Sequence, residues 1–326
     1  IWGTATIPFS FAASASEEVK RLFRLATRFW SANTCVNFGE NAPGKDRIEV
    51  FSGGGCYSNV GRVGGKQGLS LSNNGCNRFA TATHELEHAL GVFHEQSRSD
   101  RSDYVDINLS NIDKSVQYNF DKYPTLNTST FNVPYEFGSN MHYTQDSFAK
   151  DYSYPTIIAK PAYKEFQNSM RGHMPSFYDV LLVNRFYSCD QQCKSKTNFC
   201  QNGGYLDVRT CSKCVCPEGW GGRDCTGKPD GCLVELAAST SFQKRSITAP
   251  AGKRIQLTFD GIWGASSNGC YDNGIEVKPA TDLRPRGLRN CGGVHKPADI
   301  ISMSNRLPIL VWMRSAQIRA DVQYRY

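Results

Sequence analysis

The stretch His84-Glu-Leu-Glu-His88-Ala-Leu-Gly91-Val-Phe-His94-Glu95 sets the reading of the whole chain. On a helix, residues four apart share a face, so His84 and His88 can offer their imidazoles to one cation. Glu85 stands beside them, placed to reach a metal-bound water without being a ligand. Gly91 accepts positive φ and is a natural place for the helix to stop and the chain to turn. That turn brings His94 round as a third ligand. Three neutral nitrogens plus one water is the open arrangement of a catalytic zinc site, whereas a structural zinc is usually closed by four protein ligands, often thiolates. No cysteine lies in the run. Three of the chain's six histidines fall within it, at a spacing far more restrictive than a helix with scattered surface histidines would show.

Working outward, Ser139-Asn-Met141-His142-Tyr143 puts a methionine in a turn, where it could supply a soft apolar floor under the histidines. Upstream, Ala5 to Phe11 reads as a strand. Ser14 with Glu17 fits a capping box. The helix that follows carries Val19, Leu22, Phe23, Ala26, Phe29 and Trp30 at helical spacing. Arg47 to Phe51 and Gln67 to Leu71 read as strands separated by glycine-rich turns. Glu87, inside the metal helix, reads as part of a solvated face.

The 326 residues suggest two or three domains. With 40% hydrophobic and 21% charged residues, packed cores are expected and wholesale disorder is not. The longest apolar run, Leu307 to Met313, is far short of the ~18 residues of a membrane span. Ile1 begins inside a strand-like segment, so the chain reads as a mature or trimmed product of something longer. Thirteen cysteines argue for an oxidising compartment, and the odd count leaves at least one without a partner in the chain. Three lie before residue 189, eight between Cys189 and Cys232, and two, Cys270 and Cys291, follow. The dense middle stretch should be a disulfide-built module, with Thr226-Gly-Lys-Pro-Asp-Gly231 as a joint to the last domain. That last domain reads as all-β, from segments such as Ile255 to Phe259, Gly274 to Val277, Ile309 to Trp312 and Ile318 to Tyr324.

The pattern His-Glu-x-x-His-x-x-Gly-x-x-His with a later methionine turn resembles the metzincin clan of zinc endopeptidases. The extension Glu95-Gln-Ser-Arg98-Ser-Asp100-Arg101, with Tyr143 two residues after Met141, resembles the astacin family in particular. The resemblance implies an α+β catalytic domain over 1–189, with a mixed sheet, a zinc helix and a Met-turn. It implies one Zn2+ on His84, His88 and His94, and Glu85 as general base and acid. Tyr143 matches the family's extra tyrosine ligand, which leaves the metal to hydrogen-bond the oxyanion. Met141 is the Met-turn residue. Glu95 matches the acid that meets the buried N-terminal ammonium of mature members, a terminus expected several residues before Ile1. Gln67, Leu69 and Leu71 match the edge strand that pairs with an extended substrate. Near Asn168-Ser-Met170-Arg171-Gly-His173, relatives often read Gly-Gln-Arg, so primed-side specificity departs from the family pattern.

Residues 190–226 resemble an EGF-like module. Six cysteines allow 15 pairings in principle. The resemblance selects Cys193–Cys211, Cys200–Cys214 and Cys216–Cys225, and the module's expected role is a spacer. Residues 227–326 resemble a CUB domain, a β-sandwich bridged by Cys270–Cys291. Family pairing also joins Cys35 to Cys189 and Cys56 to Cys76, which leaves Cys232 unpaired. From Gly231 onward, 13 Lys+Arg face 7 Asp+Glu, so this part holds most of the net +7. A basic surface of that kind favours anionic matrix or glycosaminoglycan partners, with Arg284-Pro-Arg286-Gly-Leu-Arg289 as a candidate patch. No nucleic-acid module is visible. Asn108 and Asn127 stand in N-glycosylation sequons. The expectation is a secreted, extracellular zinc endopeptidase whose substrates could be matrix, cuticle or host-tissue proteins. The alternative, a non-catalytic secreted adhesion protein on the same scaffold, predicts a lost ligand or a lost Glu85, and neither is lost.

Overall fold

The computed structural model describes all residues except 4–5, 125–128, 228–240, 294–296 and 315–317. The first unit opens with strand β1 (Ile7–Phe11), helix α1 (Glu17–Asn33), β2 (Phe38–Glu40), β3 (Arg47–Phe51), β4 (Cys56–Ser58) and β5 (Lys66–Leu71). These strands form one mixed sheet in the order β2-β1-β3-β5-β4, parallel except for β4. The alternation of Ile48 and Val50 in β3 sends both to one buried face. There they meet Val19, Leu22, Phe23, Ala26 and Trp30, the apolar stripe of α1. Helix α2 (Phe79–Leu90) packs on the same core through Ala82, Leu86, Ala89 and Leu90, and the indole of Trp30 donates to the Thr83 carbonyl.

Two local readings change. The cap of α1 is Ser16, whose side chain accepts from Val19 N; Ser14 instead accepts from Ser52 N, tying the helix entry to the sheet. Both serines precede the helix, and only the tertiary position of β3 decides which one is free to cap. Strand β5 is not an edge over its second half, because Leu69 to Leu71 pair with β4. Gln67, Leu69 and Leu71 are buried, and Gln67 is occupied with Gly61 O and Val63 N. The outer edge is β4, with Cys56 and Tyr57 exposed.

After α2 the chain is mostly loops and short turns, with the small pair β6 (Val105–Ile107) and β7 (Ile157–Ala159) and an aromatic cluster that includes Phe120, Tyr135 and Phe137. Helix α3 (Phe177–Phe186) closes this unit. Disulfides Cys35–Cys189 and Cys56–Cys76 staple it.

The cysteine-rich segment carries β8 (Tyr205–Leu206) and β9 (Cys214–Val215), held by Cys193–Cys211, Cys200–Cys214 and Cys216–Cys225. It does not hang free as a spacer would. Arg209 donates to Val36 O, Phe177 packs on Tyr205, and Arg306 lies over Trp220.

The C-terminal β unit has two sheets. One holds β10 (Ser241–Thr248), β12 (Asn273–Val277), β13 (Leu288–Asn290) and β15 (Arg306–Met313). The other holds β11 (Gln256–Gly264), β14 (Ile300–Ile301) and β16 (Ile318–Arg325). Leu257, Phe259, Ile262, Ile275, Val277 and Leu307 fill the space between them, and Cys270–Cys291 bridges beneath Trp312. The expected basic patch is not a surface. Arg286 and Arg289 are 3% and 2% exposed, and Arg284 is paired with Asp282. Buried guanidiniums need carboxylate partners, and these two have them. Cys232 and Asn127 lie outside the described residues. Asn108 is half-buried, its amide directed to Pro155 O.

Candidate metal centre

Helix α2 ends at Gly91, which adopts φ 113° in the left-handed region. A Cβ there would also lie 2.6 Å from Phe186, so glycine is required twice over. The reversal carries Val92 and Phe93 back over the helix end and returns His94 to the face that bears His84 and His88. The Nε2 atom of His94 lies 3.1 Å from that of His88 and 3.3 Å from that of His84. Nitrogens around a tetrahedral zinc with bonds of ~2.0–2.1 Å sit about that far apart. The Nδ1 of His84 is 2.7 Å from Asn140 O and that of His88 2.8 Å from Val92 O. Nδ1 of each therefore carries the proton, and the Nε2 lone pairs point at the shared centre. Burial, with neighbouring imidazoles, pushes the pKa values of His84 and His94 well down, and burial takes His88 to about 4. All three are neutral donors, which is the state a metal ligand needs. This is the one His/Cys/Asp/Glu cluster among the described residues whose donor atoms converge closely enough for a metal ion.

Glu85 is 4% exposed, and its Oε2 has no hydrogen-bond partner among the described residues. Burial raises its pKa to about 8, opposed by Arg171. A cation on the histidines would draw it back down. Tyr143 packs its ring 4.5 Å from that of His94 and anchors its backbone N–H on Gln96 Oε1. Burial, then Tyr123 and Glu85, holds its hydroxyl up at about 12, so it remains a donor. Met141 is buried, and its carbonyl accepts from Glu95 N. Glu95 itself accepts from Arg98 and from Glu136 N, so its partner among the described residues is a guanidinium. Burial brings its pKa up to about 7.

Glu87 departs from its reading as a solvated residue. It is fully buried, and neither carboxylate oxygen finds a partner among the described residues. Burial, Asp179 and Glu95 push its pKa well up, so it is held as the neutral acid.

Sequence reading passed over Asp179 and Asn140. Asp179 accepts from Ser139 Oγ, Asn140 N and Ser176 N, and thereby fixes the turn that carries Met141. A signal was present, since Ser176-x-x-Asp179 is a capping box, and the structure forms it.

A sequence profile described as Astacin (Peptidase family M12A) matches residues 1–188. The chain belongs to the astacin family. Zinc metalloproteinase nas-31 of Caenorhabditis elegans is 34% identical over 345 residues, covering 99% of this chain and 56% of the relative. Zinc metalloproteinase nas-23 from the same organism is 37% identical, covering 100% and 64%. A shorter astacin relative, zinc metalloproteinase nas-25, is 33% identical, with 100% and 88% covered. The chain thus spans only 56% and 64% of the lengths of nas-31 and nas-23. Among solved structures, high choriolytic enzyme 1, a hatching enzyme zinc-protease from Oryzias latipes, superimposes with a TM-score of 0.52 at 37% identity, covering 56% of this chain and 89% of that one. Zinc is the metal that astacin-family membership assigns to the His84, His88 and His94 centre, and the donor set fits it.

Proposed function

We propose that the chain is a zinc-dependent endopeptidase acting on extracellular proteins, with Glu85 as the proton carrier. The observation that carries this is the buried Glu85 Oε2, without a hydrogen-bond partner among the described residues, beside three convergent, neutral imidazoles. When bound, zinc polarises the scissile carbonyl and lowers the pKa of a water towards ~7. Glu85 takes the proton of the attacking water and delivers it to the leaving amine. The Tyr143 hydroxyl, protonated throughout the neutral range, donates to the developing oxyanion. Met141 and Glu95 act as supports, Met141 beneath the histidines and Glu95 in bracing the turn through Glu136 N. Strand β4 rather than β5 is the edge onto which an extended substrate would add.

We read the chain as a catalytic domain over 1–189, an EGF-like module over 190–226 and a CUB-like domain over 227–326. The three paired bridges of the module and the two-sheet sandwich support that reading. Twelve cysteines in six disulfides favour a secreted protein. No helix among the described residues is long and apolar enough to cross a membrane.

Metal removal tests the proposal. Dialysis against a chelator should abolish cleavage of a denatured protein substrate, and one equivalent of zinc should restore it. Cleavage that survives complete removal of the metal would overturn the reading.

A further inference from the structure

The C-terminal β unit reaches the metal centre through buried charge. Arg289 donates from Nε to Glu276 at 2.8 Å, from a guanidinium nitrogen to Arg171 O at 2.7 Å, and from its backbone to Ser169 Oγ at 3.1 Å. Arg286 pairs with Glu218 at 3.0 Å and directs Nη2 to the Met174 and Pro175 carbonyls, while its backbone N–H donates to Glu136 at 2.9 Å. With Lys278, which lies 3.6 Å from Glu218, three cations meet the three carboxylates Glu136, Glu218 and Glu276. The groups come from all three parts of the chain. A charge cluster withdrawn from water is a fixed joint, because separating it would strand charges that have lost their solvent.

The joint bears on a specific segment. Arg171 N donates to Phe137 O and Gly172 N to Ser139 O, so residues 171–172 are zipped to the turn before Met141. The packing is close enough that a Cβ on Gly172 would lie 2.8 Å from Gly138 O and 3.0 Å from Asn140 N. Asn140 O in turn holds His84 Nδ1. On its open side, the segment presents the exposed side chain of Arg171, close enough for its charge to be felt at Glu85, His84, His94 and Tyr143. Tyr271 of the β unit stands against the start of α2, its ring between the guanidiniums of Arg78 and Arg314 at 4.3 and 4.5 Å.

We infer that the C-terminal β unit is a working part of the catalytic cleft, with Arg286 and Arg289 as positioning residues that hold Ser169–Pro175 in place as one of its walls. The inference rests on the peptidase reading above. It makes the β unit more than a tether, since a substrate lying across the metal would meet a wall whose backbone is fixed from another unit.

Two kinds of variant of the full chain test it. Arg289→Met cuts the clamp, and Arg289→Lys restores the charge without the planar fork. Gly138→Ala wedges the joint without removing a charged group, because its Cβ would lie 2.3 Å from Arg286 Cγ. In Arg289→Met and Gly138→Ala, zinc should remain at the parental stoichiometry. The amides of Arg171 and Gly172 should exchange with solvent roughly tenfold faster or more. The kcat/KM should fall roughly tenfold or more, mostly through KM, and only for peptides extended to one side of the cleaved bond. Arg289→Lys should recover part of the loss. Unchanged exchange with unchanged KM would overturn the inference. So would a uniform loss on all peptides that tracks lost zinc, since that would make the joint merely structural. A parent chain that cleaves nothing would refute the peptidase reading, while amide exchange would still decide whether the clamp holds the segment.

Discussion

At Glu85, burial and a neighbouring cation compete. Burial, opposed by Arg171, favours the neutral acid, with a pKa of about 8, whereas a metal on the three imidazoles favours the carboxylate that can accept a proton. Glu85→Gln keeps the size of the side chain and removes only that ability. It should retain zinc, measured by elemental analysis, while peptide cleavage falls by roughly 10²–10⁴-fold, the usual contribution of a positioned acid–base group. Tyr143→Phe removes a donor that is protonated at neutral pH. Turnover should fall by roughly 10²-fold with zinc content little changed. Parallel losses of metal and activity would show that Tyr143 serves the metal and not the oxyanion. All three imidazoles and Glu85 were legible in the sequence because their spacing is local to one helix and its reversal. Glu87 was not, because which face of α2 is covered depends on distant segments of the chain, and Asp179, about ninety residues on, is close enough to act on its charge.

At the scale of elements, α3 anchors the turn that carries Met141. Ser176 Oγ accepts from Asp179 N, and Asp179 returns the bond while also holding Ser139 and Asn140. Ser176→Ala removes one cap and should cost about 1 kcal/mol in urea unfolding. Asp179→Ala should cost clearly more, because it strands the Asn140 N–H in a buried turn. Equal effects would mean that the link to the turn contributes nothing. The strands were legible to within a few residues, since β3 and β5 carry their own apolar pattern. The edge was not, because β4 is three residues long and owes its place to pairing with β5 and to Cys56–Cys76. The shift of the α1 cap from Ser14 to Ser16 has the same origin, a long-range bond from Ser52 N.

Across the whole molecule, the three parts of the chain share one buried charge cluster. Burial raises the pKa of Glu276, but Arg289 and Arg286 outweigh it and hold the group below its ordinary 4.5. A carboxylate depressed on folding contributes stability that is complete above its unfolded value and is lost as pH falls through the folded one. The joint should therefore weaken on acidification below about pH 4.5. Thermal unfolding followed downward in pH should show a drop that is smaller in Glu276→Gln. An identical pH profile in the two proteins would count against the role of this charge. The same cluster explains why a basic tail gave the wrong surface. Counting charges along the chain registers Arg286 and Arg289 as available, and only the fold shows them consumed by Glu218 and Glu276.

The sequence by itself determined the metal helix, its three nitrogens and the acid beside them, because each is written in a motif short enough to read along the chain, whereas the cysteine pairs followed from the family resemblance. The tertiary structure decided which serine caps α1, which strand is the open edge, that Glu87 is buried, and that the C-terminal arginines face inward against the cleft. Each of those outcomes depends on which distant surfaces exclude water from a residue, and solvent exclusion belongs to the packed molecule and not to any local stretch of it.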